Sequence, residues 1–465
     1  PIFLECAREA PEDRARAALE RRAAEEWLKS GRIDEGVAVL RGVLSGVGLR
    51  YPDSQREALA RAVVRILRLR ASKATFTERA ESSIPKEVLA RVDAARVAGT
   101  GLMVVDPLRG YGFLARFLLD ALAAGEPRRV AAGLSLNAVT LCRGGETGYP
   151  KAKRWLDDAR AIGARLDDPY LEGLTDACEA GISVCTGRWK RGAELGLRAP
   201  DRLRATTTPA TWECTVAGSL ARSALLFAGD LATLRPLTAR QLRSAEDVGD
   251  LFAATYARVH GWFEAAMDDD IARGRAQQDA ALERWSHLGF HAMHFWSLYG
   301  QLQYDLYEGH AAQGLARLAK VRTTLQGSRI LAMQFYRIFL TATEASLELG
   351  AATPRDREDR ARQATKLARA LEKEGPHYAR ALAAITRGRI ARLRGHEEDA
   401  ASWCGRAIDL FDVSEMALHA AAARASHGAL IGGESGATER ATALTSIAAR
   451  GVRAPERWVA MLVGA

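Results

Sequence analysis

The chain has 465 residues, 48% hydrophobic and 26% charged, with a formal net charge of +9 and a pI of about 9.4. That length exceeds what one compact core holds unless supersecondary units are stacked in an array, and the composition excludes a chain too polar to fold. No run of about 18 apolar residues occurs, so no membrane span is expected.

Ala10–Ser30 is rich in Ala, Arg, Glu and Leu, strong helix formers, and stops at Ser30-Gly31. Ile33, Gly36, Val37, Leu40 and Leu44 recur at three- and four-residue spacings and predict a helix over Arg32–Leu44. Asp53 is placed to cap a helix carrying Leu59, Val63, Ile66 and Leu67. Ala71–Pro85 is polar and weakly patterned. Lys86–Ala98 reads as a helix stopped by Gly99-Thr-Gly101, and Asp106-Pro107 with Gly110-Tyr-Gly112 reads as a loop. Phe113–Gly125 and Pro127–Leu141 form a helix pair hinged at Gly125-Glu-Pro127. Tyr149-Pro150 and Asp168-Pro169 each open a helix, where proline suits the first turn. Ala199–Pro209, with three consecutive threonines, reads as a longer loop.

Trp212–Phe227, Leu231–Leu242, Leu251–Ala266 and Ile271–Leu282 are predicted helices. Glu283–Leu318 then reads as one helix crowded with aromatics, a break at Glu308-Gly309-His310, and a second helix. Ile330–Leu349, Arg357–Glu374, Tyr378–Leu393, Ala400–Phe411, Met416–Leu430 and Ala437–Ala449 complete the helical series. Sustained period-2 alternation is missing, so no strands are expected.

One item recurs between helices: a Gly flanked by small or polar residues, at Ser30-Gly31-Arg32, Thr186-Gly187-Arg188, Ala228-Gly229-Asp230, Glu308-Gly309-His310 and Arg394-Gly395-His396. Several are followed by a small residue four to six positions on, at Gly36, Ala193, Gly314 and Ala400. Glycine ends one helix, and the small residue lets the next pack closely, as in a helix–turn–helix repeat of the tetratricopeptide type. The expected fold is an all-α, tetratricopeptide-like solenoid of antiparallel helix pairs with unequal repeats. Residues 1–100, 101–282 and 283–465 are its N-terminal, middle and C-terminal repeats, continuous rather than independent.

Several passages carry a resemblance: AAEEWLKSGRIDEGVAVLRGVL at Ala23–Leu44, DPLRGYGFLARFLLDALA at Asp106–Ala123, AGISVCTGRWKRGAEL at Ala180–Leu195, Trp285–Tyr307, and RGVRAPERWVAML at Arg450–Leu462. They resemble the long C-terminal helical region of large bacterial, myxobacterial-type serine/threonine protein kinases. In those proteins a STAND-type AAA ATPase module and then tetratricopeptide-like repeats follow the kinase domain. The resemblance implies a sensing or autoinhibitory arm that binds a protein or peptide partner, including the kinase and ATPase modules of its own polypeptide. The start, PIFLECAREA, shows neither a signal-peptide pattern nor an initiator Met, which fits a piece of a longer chain. The catalytic motifs of that architecture are missing from this sequence: no G-x-x-x-x-G-K-[ST], no H-R-D, no D-F-G. The expectation is therefore a non-catalytic region with no cofactor.

The residues singled out for partner or ligand binding are Trp285, His287, His291, His294, Trp296, Tyr299 and Tyr304. His287, His291 and His294 fall at i, i+4 and i+7, one face of a continuous helix, a spacing that would suit a transition metal. Leu288 stands where a metalloprotease helix needs Glu, and the plainer reading is that the imidazoles pack beside the aromatics. Asp268-Asp-Asp270 precedes a helix and reads as a cap. Cys178 and Cys185, with no base at nucleophile spacing, read as core thiols. Thr206-Thr-Thr208 reads as a polar loop, with phosphorylation by an upstream kinase as the alternative. The six scattered cysteines suit a reduced, cytoplasmic protein.

Two other functional classes follow from the same residues. The positive charge would suit nucleic acid if it gathered on one face, although the arginines are interspersed with acids as in Arg355-Asp-Arg-Glu-Asp-Arg360. A metal-dependent enzyme would rest on the three histidines. A concave face lined with Arg and aromatics would suit an acidic peptide or a phosphate-bearing ligand.

Overall fold

A computed structural model describes residues 2–10, 13–72, 74–103, 106–207, 210–287 and 289–464. Among them are twenty-four α-helices and no strand. In chain order these begin α1 (Ile2–Glu9), α2 (Asp13–Lys29), α3 (Ile33–Gly46), α4 (Gln55–Ala71), α5 (Lys86–Leu102), α6 (Pro107–Ala124), α7 (Pro127–Leu141) and α8 (Tyr149–Leu166). They continue with α9 (Pro169–Thr186), α10 (Trp189–Arg204), α11 (Thr211–Ala228), α12 (Leu231–Asp247), α13 (Leu251–His260), α14 (Trp262–Met267), α15 (Ile271–Glu283) and α16 (Ala292–Tyr307). The last are α17 (Ala311–Gly327), α18 (Gln334–Gly350), α19 (Arg357–Glu374), α20 (His377–Leu393), α21 (Glu397–Val413), α22 (Ala417–Ile431), α23 (Gly433–Ala448) and α24 (Pro455–Val463). Packing is mostly between chain neighbours, such as α9 with α10, α20 with α21 and α22 with α23, as an all-α helical-repeat fold requires.

The five glycine corners share one backbone solution. Each glycine has positive φ, and the next residue's N–H reaches back five positions: Arg32 to Trp27 O, Arg188 to Ser183 O, Asp230 to Leu225 O, His310 to Asp305 O and His396 to Ala391 O. That is the six-to-one bond that satisfies the last free carbonyls of a helix. The same bond closes corners whose left-handed residue is not glycine: Asp168 to Gly163 O after Asp167, Asp270 to Ala265 O after Asp269, and Met416 to Phe411 O after Glu415. The small residues beyond the corners do admit close packing. A Cβ on Gly36 would lie 2.8 Å from Leu28, and one on Gly314 would lie 2.5 Å from Leu347.

Four local expectations change. Gly99-Thr-Gly101 does not stop a helix: α5 runs on to Leu102, with Gly99 letting Leu114 approach and Gly101 letting Leu28 approach. Pro107–Gly112 begins α6 rather than forming a loop, and Asp106 caps it, its carboxylate accepting from the Arg109 N–H at 3.1 Å. Half of the Ala199–Pro209 loop is helix, because α10 continues through Pro200 to Arg204. The helix expected over Leu251–Ala266 is two, α13 and α14, meeting at Gly261. On α4 the large apolar residues Leu59, Val63 and Leu67 are exposed, whereas Ala58 and Ala62 pack inward, where α6 approaches closely at Gly112.

The array winds back on itself. Helix α9 packs on α18 and α11 on α22. Gln334 N–H donates to Arg143 O at 2.9 Å, and Ser286 Oγ donates to Asp34 Oδ1 at 3.3 Å. Helix α24 packs on α16, with the Arg453 N–H donating to Met267 O at 2.9 Å and the Arg457 guanidinium on Asp269 at 2.9 Å. Two large apolar cores result. One is built mainly from Ala24 to Ala217, the other mainly from Val184 to Val463, and α9 to α11 contribute to both.

Candidate functional site

Glu283–His291 is not the start of an aromatic helix. Helix α15 ends at Glu283, Gly289 takes φ +91°, and α16 opens only at Ala292, with His291 as its N-cap residue. The three histidines therefore do not share a helical face. The Trp285 indole N–H donates to His291 Nδ1 at 3.1 Å, and the His291 backbone N–H donates to His294 Nδ1 at 3.0 Å. Burial, then the neighbouring His291 and His287, holds His294 down at about 4, so its ring is neutral and free to accept. These two imidazoles tie down the entry to α16. His287 is exposed, and Leu288 lies outside the described residues. No group of three His, Cys, Asp or Glu placed to hold a metal ion occurs among the described residues.

The aromatic candidates are interior. Trp285, Trp296, Tyr299 and Tyr304 are all buried. Trp296 meets the His260 ring edge-on at 4.5 Å, Tyr299 meets Phe339 at 6.3 Å, and Tyr304 lies under the Arg275 guanidinium at 5.5 Å. Such pairs fill seams between helices. Trp285 also lies against Gly31, at the corner between α2 and α3, where a Cβ would approach its ring to 2.8 Å. These contacts join distant turns of the array, and of the seven candidates His287 is the exposed one.

A half-open pocket of about 270 Å³ lies between turns of the winding, lined by side chains from α5 to α18. Its lining is mostly apolar, with Leu136, Leu174, Val216, Phe252, Met333 and Tyr336 among the contributors. Polar groups enter it as a chain. Arg96 Nη1 donates to the Tyr170 phenol oxygen at 3.3 Å, and the Tyr170 O–H donates to Glu213 Oε1 at 3.0 Å. Glu213 is 8% exposed, and its second oxygen, Oε2, has no hydrogen-bond partner. Burial, then the Glu213 carboxylate, pushes the Tyr170 phenol well up, so it stays a donor. An apolar pocket with a few convergent polar groups is the usual form of a binding site, and this one falls just below the ~300–1,000 Å³ range. Cys178 and Cys185 also line it; burial pushes the Cys185 thiol up to about 12, so neither serves as a thiolate.

The remaining sequence candidates are structural. Asp270 accepts from the Arg273 N–H at 3.2 Å and caps α15, Asp268 binds Arg235 at 2.9 Å and Arg273 at 2.8 Å, and Asp269 accepts from the Tyr307 O–H at 2.9 Å. Thr206 and Thr207 follow the end of α10, and Thr208 lies outside the described residues. Ser223 Oγ and His260 Nε2 stand 3.1 Å apart, a nucleophile–base distance. Both are buried, His260 Nδ1 has no orienting partner, and burial holds the ring's pKa well down. Arg96, Tyr170 and Glu213 could not be grouped from the sequence, since 117 positions separate the first from the last and nothing in their spacing marks a contact.

No protein-family model matches the chain, and no curated protein is significantly similar to it. The class that fold and site define is thus an all-α helical-repeat protein with a half-open apolar pocket between its helices.

Proposed function

We propose that the chain is a non-catalytic sensing scaffold, the partner-binding or autoinhibitory arm of a larger bacterial kinase and STAND-type ATPase. The apolar pocket between the helices is the observation that supports this reading. Its wall joins helices from both apolar cores, so an occupant stabilises one state of the winding over another, and a ligand shifts a conformational equilibrium only through such differential contact. Glu213 Oε2 calls for a donor or cation beside an apolar group, as a partner segment with an apolar side chain and a nearby amine would supply.

Tryptamine and phenethylamine are suitable probes of that chemistry. Either should raise the melting temperature at millimolar concentration and shrink the radius of gyration in small-angle X-ray scattering. Val216→Trp, which fills the pocket, and Glu213→Gln should both abolish the response. Equal responses in wild type and the filled variant would refute the pocket as the sensing site. For the parent architecture, the natural reading frame upstream of Pro1 should encode kinase and Walker phosphate-loop motifs; a start codon directly before Pro1 would dismiss it.

A further inference from the structure

Helices α10, α11 and α12 enclose a second and larger space, an open cleft of about 800 Å³. At its base stands Arg222, in the middle of α11, 2% exposed. Its guanidinium makes one hydrogen bond, from Nη2 to Ser219 Oγ at 3.3 Å, and lies 5.2 Å from the Tyr256 ring centre. Nε and Nη1 are buried without any hydrogen-bond partner. A guanidinium keeps its charge at every physiological pH, and a buried charge is normally matched by an opposite one. Here the acid whose field reaches Arg222 is Glu264, and among the described residues Arg222 forms no ion pair. Other buried cationic contacts in the chain differ: the buried carboxylate of Asp176 gathers Arg198 and Arg202, and that of Asp305 gathers Arg275 and Arg317.

Three arginines and two aspartates line the cleft, and one of the aspartates, Asp250, is engaged as the cap of α13, accepting from the Ala253 N–H at 2.9 Å. Arg240 on α12 has no carboxylate partner among the described residues, while Arg204 is paired with Asp201 at 3.2 Å. Gln241 enters from α12 across Gly218, where a Cβ would meet its amide nitrogen at 2.2 Å, so the glycine holds that amide in the cleft. We propose that this cleft binds a small organic anion, its carboxylate or phosphate group seated on Arg222 and a second negative charge met by Arg240. Planar, bidentate recognition of an oxyanion is what a fixed guanidinium does best. The site is separate from the 270 Å³ apolar pocket: Ser219 borders both, but the charged groups of one are not those of the other.

Inorganic phosphate and succinate, each titrated against sodium chloride of equal ionic strength, test it on the whole 465-residue chain. Either anion should raise the melting temperature by several degrees at 20 mM, and the stronger of the two identifies the head group. Arg222→Met should abolish that increase while leaving the ligand-free melting temperature equal or higher, because an unmatched buried charge is removed. A merely structural arginine would instead lower it. A second reading needs no variant. Cys214 lines the cleft and is half-buried, whereas Cys6 is exposed. The bound anion should slow maleimide labelling of Cys214 at least threefold and leave Cys6 unchanged. No effect of either anion, or an equal effect in Arg222→Met, would overturn the proposal and leave Glu264 as the countercharge.

Discussion

The Trp285 indole N–H donates to His291 Nδ1 at 3.1 Å, across the irregular link between α15 and α16. That bond holds a tryptophan against the corner between α2 and α3 while its acceptor residue begins α16, so one contact joins the first repeat to the middle of the array. Adjacent Ser286, bonded to Asp34, reinforces it.

The bond has a measurable weight. His291→Ala leaves a buried indole N–H without an acceptor and should cost about 2 kcal/mol in urea unfolding. Trp285→Phe combined with His291→Ala should cost less than the sum of the two singles, with a coupling of about 1 kcal/mol. Strict additivity would show that the bond contributes nothing.

Acid should weaken the fold in a defined window. His260, His294 and His419 all have pKa values below the ordinary histidine value: His260 well below, His294 and His419 at about 4, chiefly through burial. The unfolded chain then binds more protons than the folded one between about pH 6.5 and 4, so stability is complete above 6.5 and falls as pH drops through that range. Denaturant midpoints at pH 7.5, 6.5, 5.5 and 4.5 should decline, and His419→Leu should flatten the slope. Asp356, held down at about 2, adds to the loss only from about pH 5 downward, so the decline between pH 7.5 and 5.5 belongs to the histidines.

Two corners should respond in opposite directions to a change at the left-handed residue. Gly229 has φ +82°, and a Cβ there would lie 2.9 Å from the Leu418 backbone nitrogen, where α11 meets α22. Gly229→Ala should cost roughly 2 kcal/mol or more. Glu415, at φ +57°, carries strain that glycine lacks, and its ion pair with Lys190 is a surface contact of small weight. Glu415→Gly should therefore gain up to about 1 kcal/mol in a thermal melt.

Asp305 is fully buried and joins three consecutive helices, accepting from Arg275 of α15 at 2.8 Å and Arg317 of α17 at 3.0 Å. Asp305→Asn removes the charge that orients both guanidinium groups and should cost roughly 2–3 kcal/mol in the same unfolding assay. A change under 0.5 kcal/mol would mean the network is satisfied by solvent.

Sequence alone determined the local items. Apolar spacing located most helices, proline and aspartate marked where they open, and Gly31, Gly187, Gly229, Gly309 and Gly395 marked five corners, because a left-handed residue after a helix is a short-range demand that glycine meets at least cost. Tertiary structure decided what depends on partners. Gly99, Gly101 and Pro200 stay within helices because Leu28, Leu114 and the surrounding packing outweigh propensity, and Asp167, Asp269 and Glu415 turn corners that no glycine announces. The three histidines were visible as a cluster, but Gly289 breaks the helix on which their common face depended. A lone arginine in the apolar run around Leu220–Phe227 was the only sequence trace of the Arg222 cleft. Whether such a charge is buried, and whether an acid stands beside it, depends on helices that only the winding brings together.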